Sequence, residues 1–513
     1  MVIVGGGHNG LVAATYLGQA GLDVLVLERL PKLGGAAVSS KAFSGVPARV
    51  SRYADLVGLL PDRIVDELGL DVELRARSVA AYAPVQRDGK HTGLLVERTE
   101  GQATADSFRE LTGSDKEYDA WRAFRGEVRA FADAVAPTML EPLRTAREVR
   151  ELVEPATWEF LVEAPIGREI ERRFGDDTVR GVVAADALVG TFADLQDESL
   201  VQNRAFLQHA LGSEDWKVPV GGMGALTESL AVAARNAGVT VLTSAGVSGI
   251  ESDGSEATVT WHDGEGWKSA HADWVLANVA PWVLQVLLGE DAGDRPEGAQ
   301  FKVNMVLERL PRLRSGVSRK NAFAGTMHVA QGYERLQEAY AEGALGQLPS
   351  VQPGQFHCHS LTDPSVLGPL AVQGMHTLTY VGVHTPARAF EADVEAQRDT
   401  AVGRALDAVN DVLEEPIESL IATDKHGRPC LEAKAPQDVD EALAMPGGHI
   451  FHGDLAWPWT PNRARLDTPA QRWGVATDVE NVLLCGSGAR RGGAVSGLGG
   501  HNAAQAVLEA RRA

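Results

Sequence analysis

Three glycines stand where this chain could do chemistry. Gly5, Gly7 and Gly10 have the spacing G-x-G-x-x-G, and Glu28 lies 18 residues beyond Gly10. Gly5 permits a tight turn, Gly7 lets backbone approach a pyrophosphate, and Gly10 lets helix and strand pack closely. The helix that follows, with His8 and Asn9 before it, would present free N–H groups and a positive dipole end to phosphate. Glu28 can accept hydrogen bonds from a ribose, and its charge disfavours a 2′-phosphate. Together these residues could hold an adenine dinucleotide.

They can do so only within a βαβ unit. Val2–Val4 reads as an apolar strand, Leu11–Ala20 as a small-residue helix, and Leu22–Leu27 as a second strand closed by Glu28. A glycine turn in some other α/β fold would leave that acid without a purpose. Arg29 follows, then a second glycine pair, Gly34-Gly35, and Ala36-Ala37. This stretch resembles the extended FAD fingerprint of the flavin amine oxidase and phytoene desaturase superfamily. There such a segment runs along the pyrophosphate and ribityl chain. The resemblance implies FAD in preference to NAD.

Two later blocks extend it. Trp216–Gly224, a helix over Leu226–Ala237, a strand at Gly238–Ser244 and Trp274–Pro281 repeat the superfamily's order on returning to its FAD domain. The resemblance places the backbone near Val247 against adenine. At the C-terminus, Asn481–Cys485 leads into Gly486-Ser487-Gly488 and Gly492-Gly493-Ala494-Val495, before a helix over Leu498–Arg511. With the opening Gly-Gly-Gly-His-Asn-Gly-Leu and the segment Phe451-His452-Gly453, this resembles one branch of the superfamily. That branch contains pyridine nucleotide-disulfide oxidoreductase domain-containing protein 2 and its bacterial homologues. Ser487 stands where many of these proteins carry an Asp that bonds the ribityl chain. Arg490-Arg491 replaces a more usual His-Pro. Turned inward, these arginines would pair with a substrate carboxylate or reduced flavin; turned outward, they are solvated loop charges.

The candidate proton acceptors are His452 and Asp454, which precede the final FAD strand, with His357 and His359 next. Arg490 completes the catalytic set. Tyr53 is expected beside the flavin ring or substrate. His357-Cys358-His359, read as strand, puts both imidazoles on one face and the thiol on the other. No carboxylate or third ligand stands near in the sequence, so no metal is expected. The histidines and Arg491 are expected to line the substrate space.

At 513 residues, two interleaved domains are expected. The fold class is α/β: a Rossmann-like FAD domain (1–75, 215–288 and 446–513) with an interleaved α+β substrate domain (76–214 and 289–445). The latter combines a mixed sheet with a helical part at about 104–210. There Tyr118, Trp121, Phe124, Val128, Phe131 and Val135 recur at helical spacing. They form a core face, or one wall of an apolar substrate cavity. Strands are expected at Ala80–Val85, Gly93–Val96, Phe301–Glu308, Phe356–Ser360, Leu378–His384 and Ile417–Thr423, and helices at Ala387–Glu414.

The net charge of −21 argues against nucleic acid and against electrostatic docking on anionic lipid. An apolar patch could still touch a membrane, but no run of about 18 apolar residues exists to span one. The three cysteines form no C-x-x-C pair, so disulfide exchange chemistry is excluded and a reducing, cytoplasmic setting is expected. The chain begins inside its first strand, which suggests that a few residues precede Met1.

The expected function is an FAD-dependent dehydrogenase or desaturase. It would introduce C=C into a hydrophobic or partly hydrophobic small molecule and pass electrons to an acceptor the residues do not define. The alternatives are a redox-neutral flavin isomerase and a flavoprotein serving mainly as an interaction module.

Overall fold

The computed structural model describes residues 1–212 and 216–512. The expected division between Glu214 and Asp215 lies outside the described residues. Five short parallel strands form one sheet, ordered Val482–Leu484, Val275–Ala277, Val2–Val4, Leu25–Leu27 and Thr240–Leu242. Val2–Val4 and Val275–Ala277 are buried throughout, as a sheet covered on both faces requires.

Helix His8–Gln19 packs on this sheet and against helices Met223–Asn236 and Leu498–Ala510. Glycine permits the approach. A Cβ on Gly10 would lie 2.3 Å from the Gly5 carbonyl oxygen, and one on Gly500 would lie 2.0 Å from that of Asn9. On the other face, the antiparallel strands Gly246–Ser252, Ala257–His262 and Trp267–Ala272 contribute Ile250, Val259 and Trp261 to a second core.

A separate seven-stranded mixed sheet runs Leu431–Lys434, Phe301–Leu307, His376–Gly382, Gly354–His357, Thr326–Val329, Val79–Arg87, Lys90–Glu97. Its one parallel pair joins Thr326–Val329 to Val79–Arg87. The Val79–Glu97 hairpin turns through Asp88 and Gly89, both at positive φ. A layer of helices covers part of this sheet. The longest, Lys116–Val135, buries Trp121, Phe124, Val128, Phe131 and Val135, while Tyr118 is only partly covered.

The α/β class with a mixed sheet and helices is as the sequence reads, but several element bounds are not. The strand expected over Phe356–Ser360 ends at His357, and His359–Thr362 is a helical turn. Cys358, at φ −105° and ψ 84°, leaves the extended conformation and turns the chain. Ile417–Leu420 is a 3-10 turn after Pro416, not a strand. The helix expected from Ala387 begins at Val394, where the Asp393 side chain caps it, and ends at Asn410. His384, at φ +58°, lies beyond the end of the His376–Gly382 strand.

Candidate active site

One cavity of about 500 Å³ joins the turn after Val4 to the space between the mixed sheet and the helical layer. At its first end the backbone carries the site. Helix His8–Gln19 starts at Gly7 with no side-chain cap and no acid in its first turn. Its N-terminal dipole is therefore left for a ligand. Gly5, Gly7, His8, Asn9, Glu28, Arg29, Gly35, Ala36, Val247, Ser487, Ala494 and Val495 all line the cavity. Gly10, Gly34, Ala37, Gly486 and Gly493 lie behind the lining and serve close packing: a Cβ on Gly486 would sit 2.9 Å from Asn278 Oδ1.

Glu28 tests the fit to a dinucleotide. It is buried at 6% exposure, yet no Lys or Arg pairs with it among the described residues. Oε2 accepts from the Gly6 N–H and Oε1 from the Leu30 N–H, each at 2.8 Å. Each oxygen keeps a lone pair for a ribose hydroxyl. Asn278, from the Ala-Asn-x-x-Pro stretch, fixes the glycine turn by donating to the Gly5 carbonyl at 2.9 Å. It also lines the cavity, so that motif carried a signal the site assignment missed.

At the other end the helical layer supplies an apolar wall, including Trp121, Phe124, Val128 and Phe206. The mixed sheet supplies a polar floor. Thr326, His328, Gln355 and His357 alternate on two paired strands and face the cavity. Period-2 geometry puts these four on one face.

His357 is held by a residue that no local motif reveals. Its Nδ1 donates to Asp55 Oδ2 at 2.8 Å, which leaves Nε2 buried and without a partner. Burial opposes a charge on Asp55, but Lys302 at 3.3 Å and the two imidazoles hold its carboxyl well below the usual carboxylate range. Burial also lowers His357 to about 4, against the pull of Asp55. The imidazole is thus neutral at pH 7, with its proton on Nδ1 and a lone pair on Nε2.

The expectation that no carboxylate accompanies these histidines is wrong. Asp55, His357 and His359 place ligand atoms within 4.8 Å of one another. The buried Lys302 ammonium already neutralises Asp55, however, and would repel a divalent ion. His359 does not share the main cavity. Its Nε2 lies 3.3 Å from Asp55 Oδ2, and the residue lines a small second cavity that Asp55 also borders. The turn at Cys358 is the reason.

The other expected residues divide. Tyr53 lines the main cavity, with Lys434 Nζ 5.1 Å from its ring centre. His452 lines it too, at φ +68° with Nδ1 unpartnered, and is lowered to about 4 by burial and then by His449 and His8. Asp454 does not; it is exposed and 3.9 Å from His449 Nε2. Arg490 and Arg491 do not line it either. Arg490 donates to the Trp459 carbonyl at 3.0 Å. Arg491, 2% exposed, donates to the carbonyls of Thr138 (2.9 Å), Trp473 (3.0 Å) and Glu141. Those acceptors need a buried donor, and Arg491 supplies it. All three cysteines are buried and free.

A parallel sheet with a glycine turn, a buried acid closing its second strand and an adjoining apolar cavity fits an FAD-dependent oxidoreductase. The comparisons agree. Residues 10–423 match the family described as flavin containing amine oxidoreductase, and the chain belongs to that family. It is 46% identical to an uncharacterized protein of Mycobacterium tuberculosis H37Rv, over 99% of this chain and 96% of that one. It is 26% identical to mouse pyridine nucleotide-disulfide oxidoreductase domain-containing protein 2, over 99% and 93%. A solved structure of putrescine oxidase with bound putrescine shares the fold at a TM-score of 0.58 and 16% identity, covering 100% of this chain and 98% of its own. The cofactor is FAD.

Proposed function

We propose that this oxidoreductase is a dehydrogenase that forms C=C in an apolar small molecule. Gly5, Gly7, Glu28, Val247 and Ser487 would hold FAD, which when bound accepts a hydride from carbon. The observation that carries the reading is His357. Removing hydrogen from two adjacent carbons requires a base for the second, as a proton. His357 lines the cavity, and its buried Nε2 carries a neutral lone pair that no group among the described residues engages, with Asp55 fixing its tautomer through Nδ1. An amine needs no such group, because its nitrogen loses its proton to water. The apolar wall of Trp121, Phe124 and Val128 orients the carbon skeleton and excludes water from the base.

The test is anaerobic mixing of oxidised holoenzyme with saturated apolar compounds and with amines. Stoichiometric bleaching by a saturated carbon compound, with the alkene recovered, is expected. Bleaching by putrescine or cyclohexylamine alone would sink the reading in favour of amine oxidation. An unsaturated apolar compound converted to its isomer without net bleaching would instead identify the redox-neutral isomerase.

A further inference from the structure

We infer that the substrate is a saturated carbonyl compound, its carbonyl oxygen received by Gln355 and its α-proton by His357. This rests on the dehydrogenase reading and narrows it. Gln355 is 7% exposed, lines the cavity, and its amide makes no side-chain hydrogen bond to the described residues. Neither amide atom is a buried orphan, so the amide reaches cavity space, where a ligand can engage it. It lies two residues before His357 on the same strand and the same face, so the two side chains stem from points about 6.6 Å apart. A carbonyl oxygen and its α-hydrogen can bridge that gap, with the amide N–H on one and Nε2 on the other.

The strength of the base demands the same substrate. A neutral imidazole is too weak to deprotonate an unactivated C–H. It can do so next to a carbonyl, where the electron pair moves onto oxygen. The α C–H bond breaks, the proton goes to His357 Nε2, and the pair forms an enolate whose oxygen accepts from Gln355. The β-hydrogen would leave with two electrons, as the hydride that FAD accepts when bound, and C=C would remain beside the carbonyl. His328, opposite Gln355 in the sheet, has Nδ1 engaged by Gln331 at 2.6 Å, so that edge of its ring is not available to the substrate.

The enolate step is separable from oxidation. Holoenzyme reduced with dithionite, in deuterated buffer without oxygen, is mixed with trans-2-decalone, and proton NMR follows the α-hydrogens. The expected result is deuterium entry at least tenfold above buffer alone. His357→Asn should return it to background and Gln355→Leu should lower it at least tenfold. Both variants should keep the wild-type flavin spectrum as evidence of folding. Exchange at background in the wild type, or undiminished in His357→Asn, overturns the inference. If the oxidised enzyme is bleached by trans-decalin, which has no carbonyl, the dehydrogenase reading survives and the carbonyl inference falls. If neither compound bleaches or exchanges, both fall.

Discussion

Asp55 fixes which nitrogen of His357 carries the proton, and so which one keeps an unengaged lone pair. His357→Asn should therefore slow flavin reduction by about 10²–10⁴-fold while flavin content is unchanged. Asp55→Asn should lose less, because the imidazole stays but its tautomer is no longer imposed. The pH dependence follows from a folded value of about 4 for His357. The base works only when neutral, so the rate of flavin reduction should be level through neutral pH and fall below about pH 5 as the ring protonates. A limb centred at the ordinary histidine value of about 6.5 would show that another group is the base.

At the scale of elements, close approach decides cofactor binding. On Gly10→Ala the new methyl would meet the Gly5 carbonyl at 2.3 Å and Asn278 Nδ2 at 2.8 Å. Backbone cannot yield cheaply there, so this variant should purify with little flavin, measured as the absorbance ratio at 450 to 280 nm, wavelengths chosen as roughly those of flavin and protein absorption. Arg491→Met tests a different link. It removes the donor to the Trp473 and Glu141 carbonyls, while Thr138 keeps the Glu141 N–H, and should cost about 2 kcal/mol in thermal unfolding, with little change in substrate specificity. The elements also show what was legible. The βαβ unit was readable because Gly5, Gly10 and Glu28 lie within one local motif with one geometric solution. The His357–Asp55 contact was not, because it joins positions 302 residues apart. Nor was the burial of Arg491, whose three acceptors belong to segments that no motif links to it. The strand assigned to Phe356–Ser360 failed at Cys358, where the pattern of residue types continued but the backbone turned.

For the whole molecule, buried neutral histidines set the acid limit. His8, His357, His452 and His501 are each lowered to about 4, chiefly by burial. Between about pH 6.5 and pH 4 the unfolded chain binds protons that the folded chain refuses, so stability must fall as pH falls through that window. Each histidine can contribute up to about 3 kcal/mol. The melting temperature should decline steadily from pH 6.5 to pH 4; a level profile would show that these rings are hydrated. Among the described residues no helix is long and apolar enough to cross a membrane. The molecule combines two arrangements with different demands. The parallel sheet and its glycines are built for a common cofactor. The mixed sheet and helical layer together make a cavity with one polar and one apolar face, where the proposed function has the substrate selected.

The central claim is that His357, and not His452, takes the proton. It is tested most directly by the anaerobic rate of flavin reduction in three proteins: wild type, His357→Asn and His452→Asn, with a compound that bleaches the wild type. The account predicts a loss of about a hundredfold or more in His357→Asn and a rate within a few-fold of wild type in His452→Asn, at equal flavin content. The reverse order, or an undiminished rate in His357→Asn, would contradict it.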